Sequence, residues 1–181
     1  MAHSEPLGPG LPREVERVAL VTHRDARGSV AEVYRQSWPI SPPPAQWGLT
    51  VSGANTLRGM HVHLKKHDYV VVVSGQMFLA LHDLRPHSPT HGLAGAVILD
   101  GAEWCAVRIP PGVAHGFYFA ETATVLLGAS HEWSPEDEMG CRWDAPELRV
   151  GWPCTAPILS ERDETSGSYA ELVATLAARG G

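Results

Sequence analysis

Two segments, RGMHVHLKKHDYVVVVSG (residues 58–75) and IPPGVAHGFYF (residues 109–119), gather the residue types on which chemistry can be built. The first sets His61 and His63 two residues apart, follows them with Asp68 and an apolar run, and ends on Gly75. The second passes through Pro111 and Gly112 to His115 and another apolar run. Side chains two apart on a strand share a face, so His61 and His63 are expected to look into one cavity, joined there by His115. Imidazoles beside a carboxylate suit two chemistries. His61, His63, Asp68 and His115 could hold a divalent ion, and this donor mix favours iron, manganese, nickel or zinc. The same groups could move protons, because imidazole titrates near neutrality. The residues alone leave both readings open.

The elements that must position these side chains are short and β-rich. Residues 18–22 and 29–34 flank the turn signal Asp25-Ala26-Arg27-Gly28, and residues 47–51 and 57–62 come after a proline-rich loop. Runs at 69–73 and 77–83 meet at Ser74-Gly75-Gln76, which reads as a tight hairpin. Further runs lie at 96–99, 106–109, 116–119 and 124–127. Spacing of this kind predicts an antiparallel sandwich or barrel. Four consecutive valines, Val70 to Val73, leave no polar face and predict a buried central strand. Residues 168–179 carry apolar positions at helical spacing and form the one predicted helix. Residues 1–14, rich in Pro and Gly, read as a flexible N-terminus, and residues 15–181 as a single domain.

Composition narrows the partners. A formal net charge of -6 argues against a nucleic-acid partner held by a basic surface. No apolar run reaches the ~20 residues of a membrane span, and the N-terminus lacks the pattern of a signal peptide; a cytoplasmic protein is expected. Three scattered cysteines without a CxxC suggest neither a disulfide framework nor a zinc finger.

His61, His63, Asp68 and Gly75 match the first motif of the cupins, with Asp where Glu is commoner, and Pro111 to His115 match the second. The chain therefore resembles a cupin, which implies an all-β jelly roll (a double-stranded β-helix), here with one C-terminal helix. A more specific likeness covers nearly the whole chain. DARGSVAEVY (25–34), LRGMH (57–61), HDLRPHSPTHG (82–92), IPPGVAHGF (109–117), SPEDEMGCRWDAPELRVGWP (134–153) and LSERD (159–163) carry it. The phrases DLR-x-x-SPT-x-G and RW-D-x-P…WP are not general cupin features. On these residues the chain resembles the dTDP-4-dehydrorhamnose 3,5-epimerase family of nucleotide-sugar epimerases.

That resemblance implies a homodimer that works without a metal cofactor on a nucleotide-sugar, in deoxysugar biosynthesis. It implies proton removal from carbons next to a ketone and return of the proton on the opposite face. His61 would be the base, oriented by Asp163, with His115 a second active-site histidine. Arg58 and Arg27 would hold the diphosphate, since the guanidinium fork is bidentate and always charged. A strand over residues 30–34 would cross to the partner and carry Arg27 and Glu32 toward its site. Gln46 would remain from a glutamine–asparagine pair, and Trp133 would stack on the base. Two departures stand out. Asp68 occupies the position of the family's catalytic lysine, with Lys65 and Lys66 nearby as either an inward cation or a solvated loop. Leu127, followed by Gly128, occupies the position of the acid tyrosine. A metal at His61, His63, Asp68 and His115 could replace the lost electrophile. A metal-dependent cupin enzyme on another small substrate, or a non-catalytic sugar-nucleotide binder, are the competing readings.

Overall fold

The structure is a computed structural model that describes residues 3–180. Strands β1 (Ser4–Pro6), β2 (Glu16–Ala19), β3 (Thr22–Asp25), β4 (Gly28–Ala31) and β5 (Gln46–Ser52) precede the first histidine motif. β6 (Thr56–Val62) and β7 (Asp68–Ser74) carry that motif, and β8 (Gln76–Asp83), β9 (Ala94–Asp100) and β10 (Cys105–Ile109) come next. His115 lies in β11 (Val113–Phe119); β12 (Ala123–Ala129), β13 (Met139–Gly140) and helices α1 (Glu161–Glu164) and α2 (Tyr169–Ala178) complete the chain.

One sheet has the order β1-β2-β10-β7-β12-β5 and the other β13-β6-β11-β8-β9, every pairing antiparallel. Both inner faces feed one core, which includes Val70 and Val72 from the first sheet and Leu79, Leu81 and Phe119 from the second. This is the expected all-β jelly roll. Tyr69 and Val71 point the other way, into a second cluster with Val18, Ala106, Trp38 and Ile40. The valine run is thus buried on both faces by alternation, except that Val73 at its end is 38% exposed.

β7 and β8 lie in different sheets, and this corrects the hairpin expected at Ser74-Gly75-Gln76. β7 pairs with β10 and β12, whereas β8 pairs with β11 and β9. Gly75 turns the corner with φ +73, and a Cβ there would stand 2.6 Å from the Thr122 carbonyl oxygen. Local turn chemistry marked the bend; which strands then paired was decided by burial of the valines between two layers.

Three other expectations change. Within the expected loose N-terminus, Met1 and Ala2 lie outside the described residues, but Ser4–Pro6 pairs with β2 and Leu11 packs on the core. A second helix, α1, joins the predicted C-terminal one. The expected strand 29–34 ends at Ala31. The Asp25–Gly28 turn forms as expected, closing β3 onto β4 in a hairpin bonded to neither large sheet. α2 is fixed by a capping box between Ser168 and Glu171, and it buries Leu172 and Leu176 against Met60, Val62 and Ala114 on the back of the second sheet.

The DLRPHSPTHG loop is organised by Asp83, whose side chain is fully buried. Its carboxylate accepts from Arg85 Nε at 2.9 Å and Nη2 at 2.8 Å, and from Ser88 Oγ and Thr90 Oγ1 at 2.7 Å each. Burial opposes ionisation, but the Arg85, Ser88 and Thr90 bonds hold the carboxyl at about 2. The folded pKa lies below that of an unfolded Asp, so this stabilisation is present above about pH 4 and is lost as pH falls toward 2. Asp83→Asn is expected to cost about 2 kcal/mol at pH 7, read as a Tm lower by ~4–8 °C. In calorimetric scans, the gap to wild type should narrow as pH approaches 3.

Candidate active site

The site forms where β6 and β11 lie side by side. His61 faces His115 and Arg58 faces Phe117, so β6 spends one residue more than β11 across this stretch. Such a bulge re-aims side chains. Here Arg58 and His61, three apart, line the same pocket, while Leu57 and Met60 between and beside them are fully buried. Gly59 permits the bulge: its φ is +126, and a Cβ would stand 2.7 Å from Gly116 Cα.

His61 Nε2 lies 2.6 Å from Asp163 Oδ1, across 102 residues of chain. α1 delivers this carboxylate. Ser160 caps the helix by accepting from the Asp163 backbone N–H at 3.2 Å, which fixes the residue that reaches His61. Burial pushes the Asp163 carboxyl up, but hydrogen bonding and charge from His61, with bonds from Ser160 and the Gly59 backbone, bring it below the usual range. The imidazole Nε2–H therefore donates to the Asp163 carboxylate, which leaves Nδ1 as the nitrogen with the free lone pair.

Beside this pair sits a second group, His63, Asp68 and His115, with one donor atom from each lying within 4.8 Å of the others. His63 Nδ1–H donates to the Asp137 carbonyl at 2.8 Å, and His115 Nδ1–H donates to the Val113 carbonyl at 3.1 Å. Both Nε2 atoms then face Asp68 Oδ2, at 3.7 and 3.6 Å. Burial, with Lys66 adding, pushes His63 down to about 4; burial, with His63 adding, pushes His115 down to about 3. Both imidazoles are neutral at pH 7. Burial pushes the Asp68 carboxyl up to about 7, against the pull of Lys66.

Lys66 turns inward, while Lys65 is exposed and lines a different depression. Lys66 Nζ pairs with Glu138 Oε1 at 2.7 Å, and Arg162 Nη1 pairs with Glu138 Oε2 at 2.9 Å. Burial disfavours the Glu138 anion, yet Lys66, His63 and Arg162 hold its carboxyl at about 2. At the rim, Trp133 is 56% exposed, and its backbone N–H donates to Gln46 Oε1 at 2.6 Å. Leu127 lines the wall where a tyrosine was expected from the resemblance.

The pocket thus unites Arg58, His61, His63, Lys66, Asp68, His115, Trp133 and Asp163 from the residues singled out in the sequence. His61 is not grouped with the other three as a possible metal ligand, because its Nε2 is committed to Asp163. Gln46 anchors Trp133 instead of lining the pocket. Arg27 pairs with Asp25 and Glu32 with Arg35, both away from this pocket of their own chain. Glu138, Arg162, Ser160 and Thr50 were missed. Glu138 and Arg162 stood within the quoted SPEDE and LSERD phrases, but only the fold turns Glu138 onto Lys66 and Arg162 onto Glu138.

The jelly roll and its histidine–carboxylate pair define a cupin-type enzyme with a positioned general base. Residues 13–171 match the family described as dTDP-4-dehydrorhamnose 3,5-epimerase, and the chain belongs to that family. It is 34% identical over 137 residues to the dTDP-4-dehydrorhamnose 3,5-epimerase of Mycobacterium tuberculosis, covering 72% of this chain and 68% of that one. Among solved structures it resembles NovW, a 4-keto-6-deoxy sugar epimerase from the novobiocin gene cluster of Streptomyces spheroides. That likeness has a TM-score of 0.83 and 30% identity over 99% of this chain and 92% of NovW. It also resembles ChmJ, a 3'-monoepimerase from Streptomyces bikiniensis in complex with dTDP-quinovose (TM-score 0.78, 29% identity, 94% and 90% coverage). These relatives are isomerases acting on carbohydrates, and none favours the reading of a metal-dependent enzyme on an unrelated substrate.

The Lys66–Glu138 pair is nine-tenths buried on both sides. Removing one partner leaves an unpaired charge, so Glu138→Gln and Lys66→Met should each destabilise, and the double variant less than their sum. Urea unfolding of the four proteins is expected to return a coupling of about 1–3 kcal/mol.

Proposed function

We propose that this chain is a nucleotide-sugar 3- or 3,5-epimerase acting on a dTDP-4-keto-6-deoxyhexose in deoxysugar biosynthesis. The observation that carries the reading is the 2.6 Å bond from His61 to Asp163 at the floor of a pocket that also holds Arg58 and Trp133. His61 Nδ1 removes the proton from the carbon next to the ketone, and the imidazolium that forms is stabilised by Asp163. The negative charge moves to the ketone oxygen, and a proton delivered by water returns to the opposite face of the carbon as the carbonyl re-forms. Arg58, braced by Ser52 Oγ at 3.0 Å, suits the diphosphate. Trp133 offers an exposed ring to the nucleotide base. Leu127 supplies no proton from its side of the sugar, so the number of carbons inverted is what the sugar itself must report.

The dimer belongs to the same proposal. The β3–β4 hairpin stands apart from both large sheets and exposes Arg27 and Val30, while the edge strand β5 exposes Leu49 and Val51. Exchange of this hairpin between two copies would take Arg27 and Glu32 to the neighbouring pocket. The segment available for exchange is residues 22–32, because Tyr69 Oη donates to the Val33 carbonyl at 2.7 Å and ties Val33 to its own chain. A cytoplasmic setting agrees with three free cysteines, and no helix among the described residues is long and apolar enough to cross a membrane.

Incubation with a dTDP-4-keto-6-deoxyhexose in heavy water tests the reading. Mass and NMR analysis should find deuterium at C3, or at C3 and C5; none at either carbon would overturn it. His61→Ala should abolish exchange, and Asp163→Asn should slow it by ~10²–10⁴-fold. Arg27→Ala should raise KM with kcat held, and light scattering should give the mass of two chains.

A further inference from the structure

The carboxyl group of Asp68 faces acceptors on two sides. His63 and His115 each spend their Nδ1–H on a backbone carbonyl, so both turn an Nε2 lone pair toward Asp68 Oδ2, at 3.7 and 3.6 Å. No hydrogen bond among the described residues ends on the Asp68 carboxyl. An ionised carboxylate only accepts, and burying one without donors is costly. The protonated acid removes that cost, because its O–H is a donor that two acceptors face. Burial favours the neutral form, as do the Glu138 and Asp137 carboxylates; the Lys66 ammonium opposes it and is itself paired with Glu138. Both separations to the imidazoles exceed a hydrogen bond, so neither ring holds the proton outright.

Asp68 also stands where a reacting oxygen can meet it. It opens β7, which is paired on both sides and therefore rigid. Asp68 lies opposite Ala129 of β12, and Val70 lies opposite Leu127, so Asp68 and Leu127 share one face of the first sheet. His61 comes from β6 of the other sheet, beside His115 of β11. All of them line one pocket. A sugar lodged between the sheets meets the His61 base from one wall and the Asp68 O–H from the other. Leu127 adds no polar group to that second wall.

We propose that Asp68, as the neutral acid, is a catalytic residue: it donates a hydrogen bond to the ketone oxygen and steadies the oxyanion that forms when His61 removes the neighbouring proton. The role rests on the epimerase reading. Electrons from the broken C–H bond move onto the oxygen while Asp68 keeps its own proton, and they return as water protonates the carbon. A carboxylic acid kept neutral by a poorly solvated site can serve as such a donor. Where the family resemblance puts a lysine, this chain would then offer a hydrogen bond in place of a charge.

Infrared difference spectra of the full chain and Asp68→Asn, both dialysed against chelator, read the protonation state without substrate. Wild type should show a protonated-carboxyl C=O band that Asp68→Asn lacks, fading as pH rises through about 7. No such band below pH 7 would overturn the proposal, whether or not the protein is an epimerase. Heavy-water exchange into a dTDP-4-keto-6-deoxyhexose reads the role. Asp68→Leu should lose ~10²–10³-fold in kcat with KM little changed. Asp68→Asn has an amide that still donates and cannot ionise, so it should keep most of the wild-type rate. In wild type the donor is lost as pH rises through the raised pKa, so kcat/KM should fall there; in Asp68→Asn that fall should be absent. Near-UV circular dichroism checks that both variants keep the fold. Exchange by Asp68→Leu equal to wild type, or the same alkaline fall in Asp68→Asn, would overturn the role, while exchange by wild type would leave the epimerase reading intact.

Discussion

The hydrogen bond from His61 to Asp163 is the constraint around which the pocket is built. It joins a bulged strand to a four-residue helix 102 residues away. The bulge at Gly59 brings His61 and Arg58 onto one face, and the Ser160 cap aims Asp163. An imidazole fixed by a carboxylate has a defined tautomer, and the base is in place before any substrate arrives. Pre-set geometry of this kind removes entropy from the reacting step. The two sheets exist, from the viewpoint of function, to hold that bond still.

Burial then divides the remaining histidines from the first. His61 keeps a carboxylate partner and some exposure, whereas His63 and His115 are enclosed and neutral, their Nδ1 protons spent on carbonyls. One pocket therefore contains a proton-transfer pair and an enclosed His63–Asp68–His115 cluster. Asp68 belongs to that cluster, at the place where the family resemblance puts a lysine. A cation is still present nearby, because Lys66 reaches in and is balanced by Glu138.

Much of this was legible in the sequence. Evenly spaced short strands predicted an antiparallel sandwich or barrel and the cupin motifs implied its jelly-roll form; His61 and His115 fell on strands that line the pocket, with His63 directly after β6. Asp163 was legible only through LSERD, since nothing in a loop acid's own neighbourhood predicts a partner a hundred residues away. The sheet switch at Gly75 was hidden, because a turn glycine reads alike in a hairpin and at a corner. Lys66 and Glu138 were hidden too: whether a lysine in a KK pair faces inward depends on its counter-charge, and that arrives from the 3₁₀ turn at Pro135–Asp137 and the residue after it. Gln46 was read as a ligand group, and its side chain instead holds the Trp133 backbone.

The central claim is that His61 takes a proton from the sugar carbon next to the ketone. A crystal structure with a bound dTDP-4-keto-6-deoxyhexose tests it most directly. C3 of the sugar is expected within ~3–3.5 Å of His61 Nδ1, the spacing of a near-attack geometry, with the diphosphate on Arg58. A sugar ring seated away from His61, with neither C3 nor C5 in reach of that nitrogen, would contradict it.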